Sequence, residues 1–149
     1  MIIKHSKLFE CLNKHGVEYI LIGGTLAIAY GIPRVTKDID IFLNPNPGNA
    51  ARLLDALKEF GMGTAELTTP EDVCATEVTI FKDVVRLDVL TAVKGLEFTS
   101  AWQGKVFLEL DKVLIPALSV DDLIRAKKAS ARPRDFEDIK VLKAIYPKK

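Results

Sequence analysis

The amino-acid sequence predicts an α+β fold: a mixed central β-sheet flanked by helices, with a helical pair at the C-terminus. Three observations carry that prediction. Helical periodicity marks both ends of the chain, short apolar runs with strand character fill the middle, and the two kinds of segment do not alternate as a regular βαβ repeat requires. The 149 residues, 48% hydrophobic and 28% charged, suit one domain over residues 1–149 with a sizeable core. No repeat, low-complexity tract or linker-like stretch divides them.

Taken in order, residues 5–15 read as a first helix stopped by Gly16. "EYILIG" (18–23) is apolar and short enough for a buried strand, and "TLAIAYG" is a short helix closed by Gly31 with Pro33 beyond. "DIDIFL" is the second strand. "NPNPGNAARLLDALKEFG" is a turn followed by a helix whose Ala50, Leu53, Leu57 and Phe60 share one face, ended by Gly61. Residues 62–73 are polar and irregular. "ATEVTIFK" and "VVRLDVLT" form two strands joined near Asp83, and "KVFLEL" and "VLIPAL" form two more around Asp111 and Lys112. Ser119, with Asp122 three residues on, starts a helix in capping-box style. Pro133 suits the first turn of a last helix reaching about Ile145.

Composition narrows the function classes. No apolar run approaches the roughly 20 residues that span a bilayer. The start, "MIIKHSKLFECLNKHG", reads as an amphipathic helix without the apolar core of a secretory signal. Cys11 and Cys74 are too few for a disulfide framework and lack metal-ligand spacing, so reduced thiols and a cytoplasmic location are expected. The net charge of +1 steers nothing overall, yet residues 121–149 hold nine Lys/Arg against five Asp/Glu.

The chemistry concentrates elsewhere. On a strand, Asp38 and Asp40 point to one face while Ile39 and Ile41 point to the core. Two carboxylates on one face repel unless a cation lies between them or one is protonated. Mg²⁺, with Mn²⁺ as a substitute, takes oxygen ligands of this kind. Asp88 of "RLDVL" is a third acid set between apolar residues. The bland alternative makes Asp38 a turn residue and pairs Asp40 with Arg34 or Lys37. Gly23 and Gly24 stand where a strand gives way to a helix, which allows a sharp turn and close approach of a phosphate to free N–H groups, with the Thr25 hydroxyl beside them. Neither a P-loop nor a G-x-G-x-x-G is present. In the helix after Ser119, the apolar stripe Val120, Leu123, Ile124 continues to Lys127. That lysine either snorkels at the core edge or lines a cleft.

Strand, Gly-Gly, helix, strand with Asp-x-Asp, then a later acid-bearing strand together resemble the polymerase β-type nucleotidyltransferase superfamily. Its hallmark is an apolar residue, Gly, Gly or Ser, about nine to thirteen residues, then Asp-x-Asp/Glu between apolar residues. Here these are Ile22-Gly23-Gly24, thirteen residues, Asp38-Ile39-Asp40-Ile41, and then Asp88. "GGTLAIAYGIPRVTKDIDIF" is most similar to small bacterial AbiEii-type toxin nucleotidyltransferases, in which Arg and Thr precede the acids as Arg34 and Thr36 do here. "LIRAKKASARPRDFEDI" is similar to that group's helical motif at Lys127, Arg132, Asp135 and Asp138.

The resemblance implies a nucleotidyltransferase-like fold and transfer of a nucleoside monophosphate from an NTP to an acceptor hydroxyl, with release of pyrophosphate. Asp38, Asp40 and Asp88 would hold two Mg²⁺ ions about 3.5–4 Å apart, with Asp88 as ligand or general base. Gly23, Gly24, Thr25, Arg34, Thr36, Lys127 and Arg132 would serve the nucleotide, with Asp135 and Asp138 holding the cations in place. The acceptor expected is an RNA end, a tRNA included, or a protein side chain, and a toxin–antitoxin partner protein fits the same resemblance. The alternative from another class is a catalytically silent interaction protein that keeps the fold. A D-x-D sugar transferase ranks low, because its nucleotide-sugar domain needs more chain than this.

Overall fold

The computed structural model describes residues 5–148, so residues 1–4 of the predicted amphipathic start lie outside it. Six strands, β1 (Tyr19–Ile22), β2 (Asp38–Leu43), β3 (Val78–Lys82), β4 (Arg86–Leu90), β5 (Val106–Leu110) and β6 (Val113–Ala117), form one mixed sheet. Their order is β3-β4-β2-β1-β6-β5. The edges are antiparallel hairpins, β3 with β4 and β5 with β6. The centre is mixed: β2 runs parallel to β4 and antiparallel to β1, and β1 runs parallel to β6. β1 is buried along its whole length, as its four apolar or aromatic residues in an interior position require.

Local chemistry explains the boundaries. Helix α1 (Ser6–Lys14) buries Leu8, Phe9 and Leu12 and ends before Gly16, which takes the left-handed backbone. Helix α2 (Gly23–Ala29) begins at the first glycine of the pair, so the glycines are the first turn of the helix and no separate loop precedes it. Asn46 caps α3 (Pro47–Phe60) by accepting from the Asn49 N–H at 2.8 Å, and Gly61 closes it in the left-handed region. Of the predicted face, Ala50, Leu53 and Leu57 are fully buried and Phe60 packs at the margin. The β5–β6 turn uses Asp111 and Lys112, both at positive φ, as a two-residue hairpin demands.

Two helices were not predicted. The stretch expected to be irregular holds a 3-10 turn over Gly63–Leu67 and a short α4 (Pro70–Ala75), capped by Thr69 accepting from Asp72 N–H at 3.1 Å. Only Ala65 and Val73 of these are buried, too little for a periodic pattern, although Thr69-Pro70 is itself a cap-and-first-turn signal. Helix α5 (Phe98–Gln103) is held by tertiary packing, with Phe98 edge-on to Phe42 at 5.2 Å and stacked on Trp102.

The C-terminal pair is α6 (Val120–Ser130), capped by Ser119 accepting from Asp122 N–H, and α7 (Pro133–Ile145). Ala131 reverses the chain between them at φ +53. Tyr30 at the end of α2 donates its hydroxyl to the Leu118 carbonyl, tying α2 to the entry of this pair.

Candidate active site

The apolar residues of β2 decide where its acids go. Ile39 and Ile41 are buried, and the alternation leaves Asp38 and Asp40 on the other face. The parallel register with β4 sets Asp38 beside Arg86 and Asp40 beside Asp88, while Ile39 and Ile41 lie beside buried Leu87 and Val89. The three predicted acids thus share one face of two adjacent strands. Asp38 has a side chain 40% exposed and Asp88 only 16%.

The Gly-Gly pair packs directly on this group. Gly23 sits at φ +78, and a Cβ there would lie 2.0 Å from Asp40 Oδ2, so only glycine fits. At Gly24 a Cβ would meet the Thr36 side chain at 3.1 Å, and its N–H bonds the Asp40 carboxylate. Thr25 is buried and donates its hydroxyl to the Asp38 carbonyl at 3.0 Å. The Asp38 N–H donates to Thr36 Oγ1 at 3.3 Å. Both threonines therefore fix the start of β2.

Electrostatically the group is lopsided. Burial, then the charges of Asp88 and Asp38, push the Asp40 carboxyl up to about 6. Arg86, which the sequence reading passed over, grips Asp88 with Nε at 3.0 Å and Nη2 at 3.4 Å, and its Nε lies 3.7 Å from Asp38 Oδ2. Its signal was the R-x-D spacing, which puts both side chains on one face of a strand. Among the described residues, no group of three or more His, Cys, Asp or Glu is arranged to hold a metal ion as it stands. A cavity of about 410 Å³ opens beside Asp38, with Thr25, Thr36 and Lys37 on its polar side and Ile28, Leu108 and Ile115 on its apolar side.

The predicted residues of the helical pair form a second group. Lys127, its side chain 11% exposed, places Nζ 2.7 Å from Asp138 Oδ2 and 3.7 Å from Asp135 Oδ1. Arg34, from the loop before β2, also pairs with Asp138, not with Asp40 as the bland alternative had it. Arg132 caps α7: its backbone N–H and Nε both donate to Asp135 Oδ2, while its side chain stays 63% exposed. Burial of Asp135 and Asp138 opposes ionisation, but their cations win. Arg132 helps to pull the Asp135 carboxyl down to about 2, and Lys127 and Arg34 hold Asp138 below its ordinary value. Lys127 is thus neither a snorkelling lysine nor an uncommitted cation. A cleft of about 340 Å³ runs between Leu90, two residues beyond Asp88 on the same strand face, and Lys127 and Arg132. Among aromatic side chains that could stack a base, Tyr30 is buried and engaged, Phe136 is exposed, and Tyr146 is exposed but edge-on to Tyr30.

Residues 3–149 match the model of the family described as "Nucleotidyl transferase of unknown function (DUF2204)". The chain belongs to this nucleotidyltransferase family. No curated protein matches it. The family bears out the nucleotidyltransferase resemblance of the motifs; their narrower likeness to AbiEii-type toxins rests on the motifs alone.

In this nucleotidyltransferase-family chain the two groups make different predictions. Lys127→Met takes one of two cations from each of two buried carboxylates, leaving Asp138 with Arg34 and Asp135 with Arg132, so it should lower unfolding free energy by about 2 kcal/mol. A urea midpoint equivalent to a change within about 0.5 kcal/mol would mark an ordinary surface lysine. For Asp40 the sign is opposite. Its folded pKa is raised, so the folded state holds the extra proton between about pH 4 and 6, and stability falls as pH rises through that window. Metal-free Asp40→Asn should match the parent near pH 4 and exceed it above pH 6 by on the order of 2 kcal/mol, allowing for solvent at the cleft. Denaturation curves at several pH values check this, and a variant less stable than the parent at pH 7 would contradict it.

Proposed function

We propose that this chain is a metal-dependent nucleotidyltransferase that moves a nucleoside monophosphate from an NTP to an acceptor hydroxyl. The observation that carries the reading is the in-register placement of Asp38, Asp40 and Asp88 on parallel neighbours, closed on one side by Gly23. Carboxylate oxygens are the donors Mg²⁺ and Mn²⁺ take, and burial together with the neighbouring Asp88 and Asp38 charges raises the Asp40 pKa, a cost that a bound cation would offset. The donors fit in type and charge, with Arg86 now standing at two of them.

Asp38, Asp40 and Asp88 would hold the ion. Bound there, a divalent cation would screen the polyphosphate and lower the pKa of the acceptor hydroxyl. The acceptor oxygen forms its bond to the α-phosphorus as the bond to the β-phosphate oxygen breaks and pyrophosphate leaves. The acceptor proton passes to Asp88 or to solvent. Gly23 and Gly24 allow the polyphosphate to come close to the start of α2. Thr25 and Thr36 act on that step by holding Asp38. Arg132 and Lys127 line the cleft as its positive side, with Arg34, Asp135 and Asp138 orienting them. Transfers of this kind depend mainly on positioning and charge neutralisation.

We place the acceptor on an RNA end, a tRNA included, supported by the basic excess after residue 120 and by exposed Phe136 and Tyr146. A hydroxyl on a partner protein is the competing acceptor, since it needs no extended basic groove. An AbiEii-like toxin–antitoxin setting in the cytoplasm belongs to the same proposal. No helix among the described residues is long and apolar enough to cross a membrane. The second reading, a silent interaction protein of such a pair, is favoured by the Arg86 bridge, which already neutralises part of the acidic group.

Incubation with each α-labelled NTP, Mg²⁺, and cellular RNA and protein decides between them. The parent should transfer label and release pyrophosphate, and Asp88→Asn should cut transfer by about 10³-fold. Full activity in Asp88→Asn would overturn the three-acid site. Absence of transfer with every NTP would leave the silent reading.

A further inference from the structure

Arg86 is the residue that the proposed reaction leaves without a task. It lies on β4 two residues before Asp88 and directly beside Asp38 of β2. Its guanidinium engages both oxygens of Asp88 and approaches Asp38, and its side chain is 37% exposed. A guanidinium gripping a carboxylate by two N–H groups is among the stronger ion pairs available to a protein. It offers the acids positive charge, but it fills the oxygen sites that a cation would need. Asp40, whose carboxylate lies against Gly23, makes no ion pair among the described residues.

We propose that Arg86 is a resident counter-ion that competes with divalent metal for Asp38 and Asp88, so that cation loading and release of the guanidinium are one coupled event. The inference rests on the metal-site reading above and adds to it a gate. Without metal, Arg86 holds two of the three acids and limits their mutual repulsion. With metal, the same carboxylate oxygens are ligands, and the guanidinium must leave Asp88. Its length and half-exposed position allow it to swing into solvent or towards incoming phosphate without disturbing the buried partners Leu87 and Val89. A purely structural cross-strand pair would have no such linkage to metal. A phosphate-binding arginine would affect nucleotide affinity and leave nucleotide-free metal affinity unchanged.

The test uses the full chain without nucleotide and Mn²⁺ as the probe, followed by electron paramagnetic resonance. Arg86→Gln should bind Mn²⁺ at least about tenfold more tightly than the parent, because the competitor is gone. In the parent, the Arg86 Nε–H resonance should shift or broaden in step with Mg²⁺ occupancy; this second measurement decides the matter if the variant does not fold. Equal or weaker Mn²⁺ binding by a folded Arg86→Gln, or an Nε–H signal unmoved at Mg²⁺ saturation, overturns the gate and leaves the metal site standing. Binding by neither protein overturns both the gate and the metal site.

Discussion

The parallel register between β2 and β4 is the constraint on which the rest of the site depends. Because the side-chain period of a strand is two, one pairing decides both faces at once. Here it seats Ile39 and Ile41 beside Leu87 and Val89 in the core, and in the same stroke gathers Asp38, Asp40, Arg86 and Asp88 on the opposite face. Burying each aliphatic side chain contributes roughly 1.5–3 kcal/mol. Holding Asp40 ionised costs on the order of 2 kcal/mol. Four buried side chains outweigh that cost, so the core holds together carboxylates that would otherwise separate. A slip of one residue would bury the acids and expose the aliphatics, which is why the register has no near competitor.

Around that pair of strands, the structure sorts its charges into two groups. Three acids and Arg86 project from the sheet, while Lys127, Arg132 and Arg34 come from the helical pair and the loop before β2 and meet Asp135 and Asp138 of α7. Arg34 and Lys127 meet on Asp138, which binds that loop to α6 and α7 through nearly buried groups. Buried ion pairs of this kind add little net stability over apolar packing, but losing one member is costly. Their effect is to hold one geometry: Lys127 and Arg132 are kept on the far wall of a cleft that begins two residues past Asp88. Tyr30, bonded to the Leu118 carbonyl and edge-on to Tyr146, fixes the same relation from the other end of α2 and α7.

Much of this was legible in the residues. "DIDIFL" specifies β2 to its ends because alternation, apolar flanks and a following Asn-Pro turn agree. Gly61, Ser119 and Pro133 mark their helix ends through backbone and capping chemistry that acts locally. The short helix α5 was not legible, because its formation depends on packing, Phe98 against Phe42 above all, and such contacts leave no period in the sequence; α4 has its start signal at Thr69-Pro70 but buries only Val73, too little for a periodic face. The same distinction holds in the site. That Asp38, Asp40 and Asp88 gather follows from strand patterning. That Gly23 is needed to clear Asp40, that Arg34 pairs with Asp138, and that Lys127 is already engaged are consequences of distant segments meeting. Arg86 lay in plain view beside Asp88. Its importance appears only with the register that brings Asp38 alongside.

In the proposed function, this register builds a cation site from three acids. A crystal structure of the nucleotide-free chain grown with Mn²⁺, with anomalous scattering used to locate the metal, tests it most directly. A single dominant manganese peak coordinated by Asp38, Asp40 and Asp88 is expected, with the Arg86 guanidinium withdrawn from Asp88. Manganese absent from those three carboxylates at saturating concentration, with Arg86 still gripping Asp88, would contradict it.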